Sequence, residues 1–310
     1  MFLSRYRKAV DTFAPPLGRS YRVLRDATSR GRAIQTPYGF SLVGDPAIAA
    51  AGWEGDEIAA FISLLESHDV VVDIGANVGI YSCLAASRGK QTVAVEPLSR
   101  NLNYLYKNLW NNQLRDVEVF PMGLAHAPGL GRIYGYGGIA SFLPGWAQAR
   151  EAQSTLVPLT SLDTVVNGRF GSKRLLIKLD VEGFELEVLA GAAGTLDRTP
   201  KPTWLVEILL RGEVIPGGMN SRFTETFAMF WERGYSCHKL DRAQTPVEPD
   251  QVSHWIRNGS VDGDTHDFLF ASRVPSRPIE DLRNPEDSGL DEARTEMDAP
   301  PYRDRLASRN

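Results

Sequence analysis

The stretch VVVDIGANVGIYS, Val70 to Ser82, constrains the fold more than any other part of the chain. Three consecutive valines suit a short strand buried on both faces, because β-branched side chains pack well on a pleat covered from either side. Asp73 then falls at the carboxyl end of that strand. Gly75 and Gly79 supply permissive backbone where the chain turns and where a ligand can come close. From Asn77 onward apolar residues recur at helical spacing, so a helix is expected to begin there. Strand, glycine turn and helix start together predict the nucleotide-binding corner of a doubly wound α/β sheet.

The remaining segments extend that sheet. A strand is expected at Tyr38–Val43 and an amphipathic helix at Asp56–Ser67. TVAVE (Thr92–Glu96) and VEVFP (Val117–Pro121) read as strands two and three, separated by a helix striped with Leu98, Leu102, Leu105 and Leu109. A glycine-dense loop is expected from Gly129 to Trp146. LLIKLD (Leu175–Asp180), WLVEI (Trp204–Ile208), YSCHKL (Tyr235–Leu240) and DFLFA (Asp267–Ala271) complete a seven-stranded, mostly parallel sheet with helices on both faces.

The flanks differ in composition. Residues 1–50 form a basic N-terminal arm with a lead-in strand, residues 51–272 the folded domain, and residues 273–310 a tail rich in Pro, Asp, Glu and Arg that is expected to be disordered. The arm is read as a solvated segment, with peripheral contact to an anionic lipid surface as the sharper alternative. A net charge of -4 gives no reason to expect nucleic acid as a partner. Cys83 and Cys237 are the only two cysteines, which fits a reducing cytoplasm and no disulfide framework. No apolar run approaches the roughly 20 residues of a spanning helix.

The turn after Asp73 decides between nucleotides. A dinucleotide fingerprint needs Gly-x-Gly-x-x-Gly, but Gly75 is followed by Ala76, Asn77, Val78 and Gly79. Asp73 would also repel a pyrophosphate and suits an ammonium instead. Glu96 ends the second strand, placed to accept hydrogen bonds from both hydroxyls of a ribose. One acid for an ammonium, one for a ribose and no phosphate cradle describe S-adenosyl-L-methionine.

Strand four carries the most specific motif. LLIKLDVEGFELEVLAGA, Leu175 to Ala192, runs an apolar strand into Asp180, Glu182 and Gly183 and then into a helix. With DIGANVG (Asp73 to Gly79) and Glu96-Pro97, it closely resembles the FkbM family of methyltransferases over roughly Glu54 to Ala271. The resemblance implies a class I, Rossmann-like, S-adenosylmethionine-dependent enzyme. It further implies an O-methyltransferase acting on a hydroxyl of a sugar, glycan or polyketide-like metabolite. Cofactor binding would fall to Asp73, Gly75, Asn77, Gly79 and Glu96. Pro121-Met122-Gly123 departs from the acid that commonly lies near the adenine.

An aliphatic hydroxyl is a poor nucleophile and gains from a base close to its proton. Asp180, Glu182 and Glu207 are therefore the candidate catalytic residues, with Asp180 reading equally as an orienter of cofactor or loop. Lys178 and Glu207 read first as an ion pair, Glu185 as a partner of the helix dipole, and His126 and His266 as solvated loop histidines. Asp163 reads as the acidic partner of a capping box begun by Thr160. Nothing in the spacing demands a metal, although Mg²⁺ would suit such oxygen ligands. Two rival classes share the architecture: a non-catalytic S-adenosylmethionine-binding module and a nicotinamide-dependent oxidoreductase.

Overall fold

The computed structural model describes residues 33–44, 55–241, 243–263 and 265–272. The arginine-rich arm through Arg32 and the tail 273–310 lie outside these residues. The chain opens with a small antiparallel hairpin, β1 (Ile34–Gln35) and β2 (Ser41–Leu42). It replaces the single strand expected at Tyr38–Val43, because Gly39 at φ 91° turns the chain back within that segment.

Helix α1 (Gly55–Ser67) leads into β3 (Val70–Ile74), followed by α2 (Ile80–Ser87), β4 (Gln91–Val95), α3 (Ser99–Asn111) and β5 (Glu118–Phe120). The helix expected from Asn77 starts only at Ile80, since Asn77 at φ 51° and Gly79 at φ 90° hold left-handed backbone. Three strands then form a separate sheet in the order β6-β8-β7: β6 (Gly123–Leu124), β7 (Gly129–Tyr134) and β8 (Ser154–Thr160). The first third of the expected glycine-dense loop is thus a strand. Its glycines hid the pattern, because they leave few side chains from which a period of two can be read.

Helix α4 (Leu162–Val166) precedes β9 (Leu175–Leu179), α5 (Glu185–Ala190), α6 (Ala193–Leu196) and β10 (Thr203–Glu207). Helix α7 (Phe223–Trp231), β11 (Ser236–Lys239), β12 (Pro246–Val247), α8 (Pro249–Asn258) and β13 (Asp267–Ala271) complete the described chain. The central sheet has eight strands in the order β12-β11-β13-β10-β9-β3-β4-β5, one more than expected. The addition is the two-residue β12, too short to carry a pattern of its own. Strands β5, β4, β3, β9 and β10 run parallel, whereas β13 is antiparallel to both β10 and β11.

Alternation along the strands divides the core in two. Val71, Ala94, Leu176, Leu205 and Leu269 face α1, α2 and α3, while Val72, Val93, Ile177, Trp204 and Phe268 face α4 to α8. On the second face Phe227 meets the rings of Phe268 and Phe270 edge-on, and Phe230 stacks on Phe270 at 3.9 Å. Side chains of that size contribute about 1.5–3 kcal/mol each when fully buried. On the first face Asn108 of α3 reaches the hairpin, accepting from Val43 N at 2.6 Å and donating to the Val43 and Val78 carbonyls.

The expected capping box at Asp163 is corrected. Ser161 caps α4, accepting from Thr164 N at 3.2 Å, and the Asp163 carboxylate instead accepts from Gly194 N and Thr195 N, both at 2.8 Å, in the first turn of α6. That bond spans 31 residues, which no local pattern can reveal. Among the described residues no helix is long and apolar enough to cross a membrane.

Candidate functional site

The carboxyl ends of β3, β4 and β9 open into a cavity that Gly123, Leu124 and Ile133 of the small sheet also line. Parallel strands bring these ends to one edge of the sheet, where their turns leave room for a ligand. Gly75, Asn77, Glu96, Asp180 and Glu182 line the cavity. Leu98, Met122, Ile133, Ala140, Phe142 and Phe184 supply its apolar lining.

Gly75 is required by the approach of two strand ends. A Cβ built there would lie 1.8 Å from the carbonyl oxygen of Asp180. Gly79 serves helix packing, since its Cβ would meet Leu105 at 2.4 Å, and it does not line the cavity. Glu96 is buried and already accepts two backbone amides, from Asn77 and Leu98, each at 2.8 Å. Burial outweighs those bonds and pushes its carboxyl up to about 7.

Asp73 lies beneath the cavity rather than in its wall. It is 2% exposed, accepts from Ser82 Oγ at 2.5 Å, and burial raises its pKa to about 6. Glu182, at φ 57°, is buried and accepts from the indole Nε1 of Trp146 at 3.3 Å. Trp146 is itself fully buried, and a Cβ on Gly183 would strike its ring at 2.4 Å. Glu185 begins α5 and folds back to accept from Gly183 N at 2.9 Å. Burial raises its pKa to about 8.

Lys178 does not pair foremost with Glu207, as the sequence suggested. Its ammonium is buried 2.8 Å from Glu57 of α1 and 3.7 Å from Asp180, and Glu207 and Asp267 add attraction from further away. Glu207 sits beside Asp180 in the parallel register and opposite Asp267 in the antiparallel one, behind the cavity rather than in its wall. His126 and His266 do not line the cavity either. Among the described residues, no group of three or more His, Cys, Asp or Glu is arranged to hold a metal ion.

Three contributors escaped the sequence reading: Glu57, Trp146 and Asn101. Each lies on an element remote from the strand-four motif, and only Asn101, five residues beyond Glu96 on the following helix, carried a local hint. The glycine-dense segment Gly129–Trp146 adjoins the segment Arg211–Asn220: the amide of Ala147, just past the first, donates to the Val214 carbonyl at 2.6 Å.

Residues 73–237 match the family model described as Methyltransferase FkbM domain. The chain belongs to the FkbM methyltransferase family. Its sheet, with antiparallel β13 seated between β10 and β11, is the class I, Rossmann-like arrangement expected for such a family. The hexuronic acid methyltransferase AglP of Haloferax volcanii is 28% identical over 149 residues, covering 46% of this chain and 58% of that protein. The chain thus spans little more than half the length of that relative. A methyltransferase FkbM from Methylobacillus flagellatus KT matches with 17% identity and a TM-score of 0.40, covering 66% of this chain and 44% of that one. An O-methyltransferase from Bacillus cereus, solved in complex with SAH, matches with 12% identity and a TM-score of 0.39, covering 86% and 96%.

Proposed function

We propose that this FkbM-family methyltransferase uses S-adenosylmethionine to methylate a hydroxyl group of a sugar or glycan. The carrying observation is the cavity itself, whose lining joins Glu96 at the end of β4, Asp180 and Glu182 beyond the end of β9, and a set of apolar side chains. The residues suit that donor. Glu96 offers acceptors for a ribose, Leu98, Ile133, Ala140 and Phe142 offer apolar surface for a base, and Gly75 leaves room where two strand ends approach. Asp73, beneath the turn, contributes negative potential from below rather than a direct contact.

When bound, S-adenosylmethionine supplies an electrophilic methyl carbon on a sulfonium. A hydroxyl oxygen held in line with that carbon would take the methyl as the carbon–sulfur bond broke, leaving S-adenosylhomocysteine, and its proton would pass to a carboxylate. We assign that proton to Asp180 or Glu182, which reach the cavity wall. Lys178 lies 3.7 Å from Asp180. Glu207 stands behind Asp180 as part of the same charged group. Holding donor and acceptor in line supplies much of the remaining rate.

A sugar acceptor draws support from the hexuronic acid methyltransferase relative. The two cysteines are buried free thiols, which suits a reducing compartment such as the cytoplasm. The test has two parts. Calorimetry with S-adenosylhomocysteine and with NAD should show binding of the first alone. Incubation with S-adenosylmethionine and a panel of uronic acids, neutral sugars and hydroxylated metabolites should give one product heavier by a methylene. Tight NAD binding, or methylation confined to nitrogen or carbon acceptors, overturns the reading.

A further inference from the structure

Asn101 is 2% exposed, lies in the first turn of α3 and lines the cavity. Its Nδ2 donates to the Gly137 carbonyl at 3.3 Å, and its amide also bonds to the Glu96 carboxylate. Its Oδ1 is buried without a hydrogen-bond partner among the described residues. A buried amide oxygen with no donor bears its full desolvation cost, so native proteins keep few of them outside functional sites. An orphan acceptor in a cavity wall marks the place of a ligand donor.

The neighbours define that donor. Each Glu96 oxygen accepts one backbone amide and the Asn101 amide takes a further position on one of them, which leaves the other oxygen an open acceptor position. Because the Asn101 amide nitrogen bonds to Glu96, its Oδ1 lies one amide group further along from that acid. Two acceptors side by side, one charged and one neutral, match two O–H donors on adjacent ring carbons. Leu98, Ile133 and Phe142, which line the same cavity, are apolar and offer no such pair.

We propose that Asn101 Oδ1 accepts one hydroxyl of the ribose diol of the methyl donor while Glu96 accepts the other. This rests on the S-adenosylmethionine reading above and adds a residue to it. Because the same side chain holds the Gly137 carbonyl, ribose binding also steadies the Gly137–Ile139 turn over the cavity.

Calorimetry on the full chain tests the assignment with four ligands: S-adenosylhomocysteine, its 2′-deoxy and 3′-deoxy analogues, and S-inosylhomocysteine. In the unsubstituted protein each deoxy analogue should bind more weakly, by about tenfold for a neutral hydrogen bond. Asn101→Leu should weaken S-adenosylhomocysteine about tenfold and abolish the penalty for one deoxy analogue, which then binds as well as the parent ligand. Asn101→Ala serves as the second variant should leucine impair folding. An equal loss for all four ligands makes Asn101 merely structural and overturns the proposal. So does a penalty abolished only for the inosine analogue, which would place Oδ1 on the base. A native protein that binds none of the four overturns the cofactor reading itself, a result distinct from either.

Discussion

The ammonium of Lys178, on the central strand β9, lies 2.8 Å from the carboxylate of Glu57, on the helix that precedes the sheet. Both side chains are almost wholly buried, and Asp180, Glu207 and Asp267 surround the same cation. One lysine thus offsets several acids in a water-poor layer, and burial with its acidic neighbours pushes Asp267 well above the usual carboxylate range.

Removing the cation is expected to be costly. Lys178→Met should destabilise the fold by about 3–5 kcal/mol, because it strands buried carboxylates. Adding Glu57→Leu should restore only part of the loss, since Asp180, Glu207 and Asp267 still face the vacated position. Urea denaturation of the single and double variants measures both values. Full recovery in the double variant would show that Glu57 alone depends on Lys178.

Gly75→Ala should prevent stable folding or cost more than about 3 kcal/mol. Its Cβ would meet the Asp180 carbonyl at 1.8 Å, and φ is 83°. Gly39→Ala is the control, with φ 91° but open space around the Cβ, and should cost only about 1–2 kcal/mol. Equal losses in thermal melts would show that backbone conformation, not the contact between strand ends, sets the requirement at Gly75.

Stability should fall as pH rises from about 4.5 to about 8. Glu96 and Glu185 hold protons in the folded state up to about 7 and about 8, whereas unfolded glutamates release theirs near 4.5. The folded state therefore binds more protons across that window, and raising pH favours unfolding. His68, lowered by burial, acts in the opposite sense only as pH drops below its ordinary 6.5. Glu185→Gln should flatten the slope toward its alkaline end. Chemical denaturation at four or five pH values reads it directly, and an unchanged slope would place the proton elsewhere.

Asp180→Asn and Glu182→Gln preserve shape and remove charge. Whichever residue takes the acceptor proton should lose about 10²–10⁴-fold in kcat with S-adenosylhomocysteine affinity retained. Trp146→Phe removes the indole bond to Glu182 and should lower kcat about tenfold if Glu182 is that residue. Full kcat in both amide variants would move the base to another group.

What the sequence determined by itself was local. The valine run, the glycine turn, Glu96 at the next strand end and the strand-four motif specify the parallel α/β sheet, because strand patterns and turn chemistry act over a few residues. Tertiary structure alone decided which charges meet. Glu57 and Lys178 are 121 positions apart, Trp146 and Glu182 are 36 apart, and nothing in either local pattern links them. The small sheet was hidden for a related reason: Gly129 and Gly131 weaken the alternation of β7, whose strand state depends on its pairing with β8. Burial likewise set the proton affinities of Asp73, Glu96 and Glu185, since each reflects water removed by distant parts of the chain.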